Sequence, residues 1–569
     1  MTDKSNTSSA LKSLLETKGM GELLVVLLGA VLLFSIKGIT TRFDLTEGER
    51  YSLSDQAKKI AENIDQPMVV HLYLGGDLPP EFARLRTETE MLLAQIQRQS
   101  SAVSVAIHNP WSEDEALLYQ AAALNERNMS PVPLSQQNEG KSERAFVFPW
   151  AEIAYEGKSP MAVSLLKTQL GASQQERINV SVQELEYQLI DAMGKLSQTQ
   201  RARVGLIFGK GSLGELEIGD FINEMQAYYD LGSIELNSDS LDMGKLQKDL
   251  SLFDLLVFSK PTKPFTPSEK YVLDQYMMNG GKSLWLVDPA RMELDSIFKR
   301  PESGTIALEN QLNLNDFFFR YGLRLNPELL QDITITPIVL QLGQESVQRP
   351  LLYNPMAVSK NNHPINKNVN PSRLQFAGTL DTLPGPTEKT ILLQSTEYAK
   401  TTAVLEPITI EDAINFNPEA FPENRSYPVA VLVEGQLNSL YSTGRLIAPG
   451  VKKFQNHLNS SKPTALAVIA DGDLIRNQLA PEGRIFPLGY DRWTNRTYGN
   501  KEFLLNTVNY LLGDKQVLDL RNKEVSIPLL DQAKVEEKGS YWQWMHTLLP
   551  LALLAVGAFG FLAWRKRVY

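Results

Sequence analysis

The chain of 569 residues contains no cysteine. That excludes a disulfide framework, a thiolate nucleophile and any zinc–cysteine cluster. Histidine is almost as scarce: the five, His71, His108, His363, His457 and His546, show no metal-ligand spacing. Basic residues are outnumbered, 56 Lys and Arg against 66 Asp and Glu, and the net charge of −10 argues against a nucleic-acid partner. No Gly-x-Ser-x-Gly elbow occurs. A complete P-loop is missing too: Gly281-Lys282-Ser283 has Tyr276 at the first-glycine position and precedes a strand, so it reads as a helix-to-strand turn. These absences leave catalysis without a carrier, and the expectation is a non-enzyme with no cofactor and no metal.

Two long apolar runs are present. Between Trp544 and Arg565 there is no Asp, Glu, Lys or Arg. As a helix rising ~1.5 Å per residue this run reaches roughly 30 Å, the thickness of a bilayer core. Tyr541, Trp542 and Trp544 crowd one end, and Trp564 with Arg565, Lys566 and Arg567 closes the other, an aromatic belt and a basic stop. Gly19 to Ile36 forms a second run between Lys18 and Lys37. Its long lead-in and the lack of a small-x-small cleavage site favour a signal anchor over a cleaved signal peptide. With Lys12, Lys18 and Arg565 to Arg567 held inside, both termini are expected in the cytoplasm and the intervening chain outside. Small residues in the runs, Gly29, Ala30, Gly557, Ala558 and Gly560, would let partner helices approach closely.

The expected layout is a cytoplasmic tail (1–18), a transmembrane helix (19–37), an α/β domain (42–198), a second α/β domain (199–520), a linker (521–541), a transmembrane helix (542–564) and a cytoplasmic tail (565–569). In the first domain, Ser54 caps a helix and Val69 to Leu74 is a strand. Pro79-Pro80 opens a helix with Phe82, Leu85, Leu92 and Ile96 on one face. Val103 to Ile107 alternates as a strand, and Ser112 with Glu115 reads as a capping box. Two more strands and a helix over Val182 to Leu196 give the element order of a thioredoxin-like domain without Cys-x-x-Cys. In the second domain, buried-strand runs at Val204 to Phe208, Phe253 to Phe258 and Ser283 to Val287 alternate with amphipathic helices, the pattern of a doubly wound parallel sheet. Thr266-Pro-Ser-Glu269 is a capping box with proline at the first helical position. The pattern breaks between about 335 and 425, read as an insertion, and Asn500 caps a last helix ending at Gly513.

The sharpest ligand candidate is Gly209-Lys-Gly211-Ser-Leu-Gly214. It follows a strand and precedes a helix predicted from Glu215 to Tyr229, so its amides could cradle a phosphate. Glu235 or Asp239 approximates the acid of a dinucleotide fingerprint. Glycines there also serve simply to let strand and helix pack closely. Asp471-Gly-Asp473 could offer two carboxylates to a divalent cation, but two acids alone rarely make a site and a turn is the preferred reading.

Phe43-Asp-Leu-Thr-Glu47 through Tyr51-Ser-Leu-Ser54, Gly280-Gly-Lys-Ser-Leu284 with Asp288-Pro289, and Asn362-His-Pro-Ile365 recur as a set. So do Tyr427 to Val431 with Glu434-Gly435, Ala470-Asp-Gly-Asp473, Gly499-Asn500 to Asn506 and the terminal span. In these the chain resembles the GldG family, auxiliary components of an uncharacterised ABC transport system named for bacterial gliding motility. The resemblance implies a membrane-anchored periplasmic or other extracytoplasmic subunit in the inner (cytoplasmic) membrane. It implies a class I glutamine-amidotransferase-like α/β domain and work beside an ABC permease and a separate ATPase. The family's first turn usually reads Gly-His-Gly-Glu where Gly209-Lys-Gly-Ser212 stands, and Asn109-Pro110 replaces a usual Asp-Pro. Two other classes stay open: a ligand- or nucleotide-binding envelope sensor using Gly209 to Gly214, and a purely structural envelope scaffold.

Overall fold

The computed structural model describes residues 52–513 and 532–568, apart from 128, 139–140, 168, 199, 237–241, 301–302, 343–344, 443 and 450. The expected tail and span at 1–37, with Gly29 and Ala30, lie outside the described residues, as do Phe43 to Tyr51, Asp239 and the greater part of the linker. The described chain is mixed α/β.

The first body starts with helix α1 (Asp55–Glu62), capped by Ser54, whose side chain accepts from the Ala57 amide. Strand β1 (Met68–Leu72), helix α2 (Pro80–Gln99) and strand β2 (Val103–Ile107) form a βαβ unit with the strands parallel. Helix α3 (Ala121–Glu126) and the hairpin β3 (Val132–Asn138) and β4 (Lys141–Val147) come next. Strands β5 (Trp150–Tyr155) and β6 (Met161–Ser164) follow, and helix α4 (Gln174–Ser197) closes the body. The sheet order is β2-β1-β5-β6, with β5 antiparallel to both neighbours. Its core gathers Val70, Leu72, Phe82, Leu85, Ile153, Leu185 and Leu189.

One local expectation is corrected here. Ser112 and Glu115 do not open a helix; a short 3-10 turn at Leu117–Tyr119 precedes α3 instead. The Glu115 carboxylate, which a capping box would return to the backbone of Ser112, accepts from the Asn109 amide and contacts His108.

The second body is built on a seven-stranded sheet. Strand β7 (Arg203–Gly209), helix α5 (Gly219–Tyr228), strand β8 (Asp230–Leu236), helix α6 (Met243–Leu250) and strand β9 (Leu255–Ser259) alternate. Helix α7 (Pro267–Met278) and strand β10 (Lys282–Leu286) continue the series. The Thr266–Glu269 capping box is formed, with Pro267 at the first helical position. Strands β11 (Glu388–Gln394), β12 (Pro428–Gly435) and β13 (Thr464–Ile469) complete the order β11-β12-β13-β10-β9-β7-β8. From β13 to β8 all neighbours are parallel, and β11 and β12 pair antiparallel. Every residue of β9 and β13 is buried, as a sheet covered on both faces requires.

The stretch expected as an insertion is only partly outside this sheet. Its hairpin Ile335–Leu342 and Glu345–Ala357 packs on a separate core containing Leu329, Leu351, Tyr353 and Phe376. Strand β11, inside the same stretch, returns to form the sheet's edge, with Leu392 and Leu393 buried. Helix α8 (Asn500–Leu511) follows the sheet. Asn500 is its first residue and does not cap it: its Oδ1 accepts from the Arg373 amide and its Nδ2 donates to the Arg373 carbonyl, a strand-like pairing that ties the insertion to α8. Between the two bodies, Lys167, itself paired with Glu184 of α4, also pairs with Glu502, and Asn368 donates to Glu184 at 2.8 Å.

Helix α9 (Gln532–Val568) is 37 residues long with Pro550 inside it. Gly557, Ala558 and Gly560 are exposed on it, with open space around both glycines. The side chains at 559, 561, 563 and 564 lie outside the described set; across the described residues no helix is long and apolar enough to cross a membrane.

Candidate functional site

Parallel sheets present the ends of their strand backbones, and the residues just beyond them, along one edge, where α/β proteins place their ligands. Here the carboxyl ends of β9, β10 and β13 bring together Lys260, Asp288 and Asp473, each about 5% exposed. Lys260 turns off β9 with φ +52, its amide donating to the Leu286 carbonyl. Its Nζ lies 2.6 Å from Asp473 Oδ2, 2.8 Å from Glu293 Oε1 and 3.4 Å from Asp288 Oδ2. Gly472 passes so close that an added Cβ would sit 2.5 Å from the Lys260 side chain, and its amide donates to Asp288 Oδ1. Glycine is demanded there by approach and not by dihedral angle.

Arg476, one turn on, extends the cluster. Its Nη1 is 2.7 Å from Asp473 Oδ1, close but poorly directed for a hydrogen bond, and 3.6 Å from Glu293; Nη2 is 3.3 Å from Glu217. Asp471 accepts from the Asp473 amide through Oδ1 and from the Gln375 amide through Oδ2, which pins the insertion to the sheet.

Burial dominates the electrostatics. It pushes Asp288 up to about 6, with Lys260 opposing and Asp473 reinforcing the rise. Asp471 is raised well above the usual carboxylate range, first by burial and then by repulsion from Asp473 and Asp288. For Lys260 burial acts downward, but Asp288 and Asp473 outweigh it and its pKa is raised. The two carboxylates suggested as a cation site are therefore engaged, Asp473 by two cations and Asp471 by two amides. Among the described residues no group of three or more His, Asp or Glu is arranged to hold a metal ion.

Over this edge lies a cavity of about 430 Å³, open to solvent. Arg373 reaches it from the insertion, Asp473 and Arg476 from the sheet edge, and Tyr490, Arg492 and Trp493 from a hairpin at 490–497.

The glycine turn sits beside the site and is filled by its own chain. Gly209, Lys210 and Gly211 have φ of +83, +54 and +68. The Ser212 amide donates to Gly209, Leu213 to Ser259 and Gly214 to Glu217 Oε2. The Lys210 carbonyl accepts from both Thr262 and Lys263, and its ammonium is buried against Glu269 at 2.7 Å. Helix α5 begins only at Gly219, not at Glu215 as the sequence predicts, so the turn does not lead directly into its N-terminus.

A second cluster escaped the sequence reading. His71 in β1 and His108 just after β2 meet, Nδ1 to Nε2, at 3.0 Å, and His108 Nδ1 lies 3.0 Å from Glu115. Tyr119 lies over His108, with ring centroids 3.9 Å apart. Behind them, Tyr73 donates to Glu152, which also pairs with Arg127 at 2.6 Å. The signal was available: parallel neighbours separated by one helix, each carrying a histidine near its carboxyl end.

Residues 201–507 match the family described as ABC-type uncharacterized transport system, more than half of the chain, and the protein belongs to that family of auxiliary transport components. Residues 47–154 match a domain of unknown function. An uncharacterized protein of Borreliella burgdorferi is 19% identical over 403 residues, covering 70% of this chain and 74% of the relative. Among solved structures, the mmIFT52 N-terminal domain aligns with a TM-score of 0.31 at 13% identity, over 55% of this chain and 98% of that one. A ThuA-like protein from Parabacteroides merdae aligns with a TM-score of 0.26 at 12% identity, over 56% and 91%. Both scores are too low to assign a shared fold.

Proposed function

We propose that this protein is the non-catalytic, membrane-anchored subunit of a GldG-type ABC transporter, working beside a permease and a separate ATPase. One observation carries the non-catalytic part. At the sheet edge where an α/β enzyme would hold its reacting groups, Asp473 is clamped between Lys260 and Arg476, and Asp471 is engaged by backbone amides. Such groups hold a structure together more readily than they exchange protons with a substrate. The βαβ-first body with sheet order β2-β1-β5-β6 supports a thioredoxin-like scaffold without its cysteines, and the second sheet supports an amidotransferase-like scaffold without its nucleophile. The charge-free run from Met545 to Trp564 and its basic end at Arg565 support an anchor in the cytoplasmic membrane, with the folded body on the far side.

Gentle detergent extraction from cells with native neighbours tests this reading. A permease and an ATPase should come out with the chain, and Gly557→Leu with Gly560→Leu should reduce their yield, because close helix approach is lost. Recovery of the full-length chain alone would overturn it. A second reading, nucleotide sensing at Gly209 to Gly214, is disfavoured because the amides of Ser212, Leu213 and Gly214 already have acceptors.

A further inference from the structure

We infer that the cavity over the sheet edge binds a small acidic saccharide, a sugar ring carrying a carboxylate or phosphate. The argument starts from which lining groups are already engaged. Asp473 and Glu217, the two carboxylates of the lining, have cations: Lys260 and Arg476 for the first, Arg476 for the second. The lining amides of Asn477, Gln478 and Asn500 are bonded to backbone or to Asp491.

What stands over is a surplus of donors. Arg373 approaches its nearest carboxylate, Asp491, only to 3.9 Å, and its Nε is buried with no partner. Arg492 donates to the Leu479 carbonyl and lies over the Trp493 ring at 4.5 Å, with no ion pair among the described residues. Two guanidinium groups, each planar and built for bidentate contact, thus line one cavity, and among the described residues neither holds a carboxylate at hydrogen-bond distance. The missing complement is an anionic acceptor.

The shape of the rest of the ligand follows from Trp493. It is 59% exposed at the cavity rim, held on one side by Arg492, and offers a flat face to a ring. An aromatic or aliphatic acid would want apolar walls. Beyond the rings of Tyr490 and Trp493, this lining has only Leu374 and Leu479 of that kind among fourteen residues. A hydroxylated ring suits it, and the cavity falls within the range of about 300–1,000 Å³ usual for small-molecule sites. The inference goes beyond the transporter reading and does not depend on it, since the cavity is complete within one chain.

Isothermal titration of the full-length chain in detergent tests it, with glucuronic acid, glucose 6-phosphate, glucose and inorganic phosphate as probes. At least one acidic sugar should bind saturably, about tenfold or more tighter than glucose and than phosphate. Arg373→Gln should weaken that binding about tenfold, with Arg492→Gln as the second variant should the first not fold, and Trp493→Ala should weaken it similarly. No saturable binding of either acidic sugar up to about 10 mM would overturn the inference. So would phosphate binding as tightly as the sugars, or unchanged affinity in the folded variants. Each of these results leaves co-purification with a permease and an ATPase unaffected, so the two readings fail separately.

Discussion

Replacing Asp288 by Asn removes a charge that the fold tolerates at a cost. The carboxylate is fully enclosed, and burial holds its pKa at about 6 against an ordinary 3.8, despite Lys260 at 3.4 Å. A proton held more tightly by the folded than by the unfolded chain means that stability falls as pH rises, here between about 4 and 6. At about 1.4 kcal/mol per pH unit the full loss by neutral pH is about 3 kcal/mol. Asn mimics the protonated acid: its Oδ1 can still accept from the Gly472 amide, and Lys260 keeps Asp473 at 2.6 Å and Glu293 at 2.8 Å. No buried cation is orphaned, which is the usual reason that removing one partner of a buried pair destabilises. Thermal unfolding of Asp288→Asn and the parent chain across pH 4.5 to 8 is the assay. The variant should melt several degrees higher at pH 7.5 and the advantage should shrink toward pH 4.5. A variant that melts lower at pH 7.5, or an advantage that does not change with pH, would refute the reasoning.

Gly211→Val should cost about 1–3 kcal/mol, because φ is +68 and its Cβ would meet Thr262 Oγ1 at 2.1 Å. Neither ATP nor NAD should raise the melting temperature of the parent chain; a nucleotide at a hundred times its Kd would add about 2.7 kcal/mol, and such a rise would return the turn to candidacy as a phosphate cradle. His71 has its pKa lowered by burial and by His108, with Glu152 opposing and Arg127 assisting. The unfolded chain then takes up a proton near pH 6.5 that the folded chain refuses, so stability is lost as pH falls below that value. His71→Gln should diminish this acid-side loss in denaturant titrations at pH 7.5 and 5.5; an unchanged difference between the two would show that His71 does not titrate against folding.

The scaffold was largely legible and the site largely was not. Thr266 and Glu269 sit three apart beside Pro267, and although Lys210 pairs with Glu269 Oε1, Oε2 still accepts from the Thr266 amide, so the local signal survived folding. Ser112 and Glu115 have the same spacing, but a histidine brought in from the end of β2 claims the acid, and the helix does not start. The central strands of the second sheet were readable as apolar runs because a sheet buried on both faces leaves them few polar residues. Lys260, Asp288, Asp473 and Arg476 carry no shared motif, since they come from three strand ends, Asp473 and Arg476 both from the turn after β13. Asp288-Pro289 and Asp471-Gly-Asp473 stood out singly. What joins them is strand order, and order is decided by a sheet closure that no local spacing encodes. Arg373 and Trp493 lay further from reach, in segments whose sequence reads only as loop.

That closure also sets a clock. Strand β10 is flanked on one side by β9, which the ribosome delivers just before it, and on the other by β13, whose Thr464 bonds to Gly281 across 183 positions. At about 5–20 residues per second, roughly 10–40 s separate the synthesis of the two. During that interval the nascent sheet ends in an open edge displaying Leu284, Trp285 and Leu286, the kind of edge that pairs with strangers. Lys260 and Asp288 meanwhile lack Asp473, and the cavity has no floor. A chain released before residue 464 is therefore left with a sticky margin and no site, whereas one completed to residue 473 gains a covered edge and the Lys260–Asp473 pair, and the cavity follows once the residues up to Asn500 are in place.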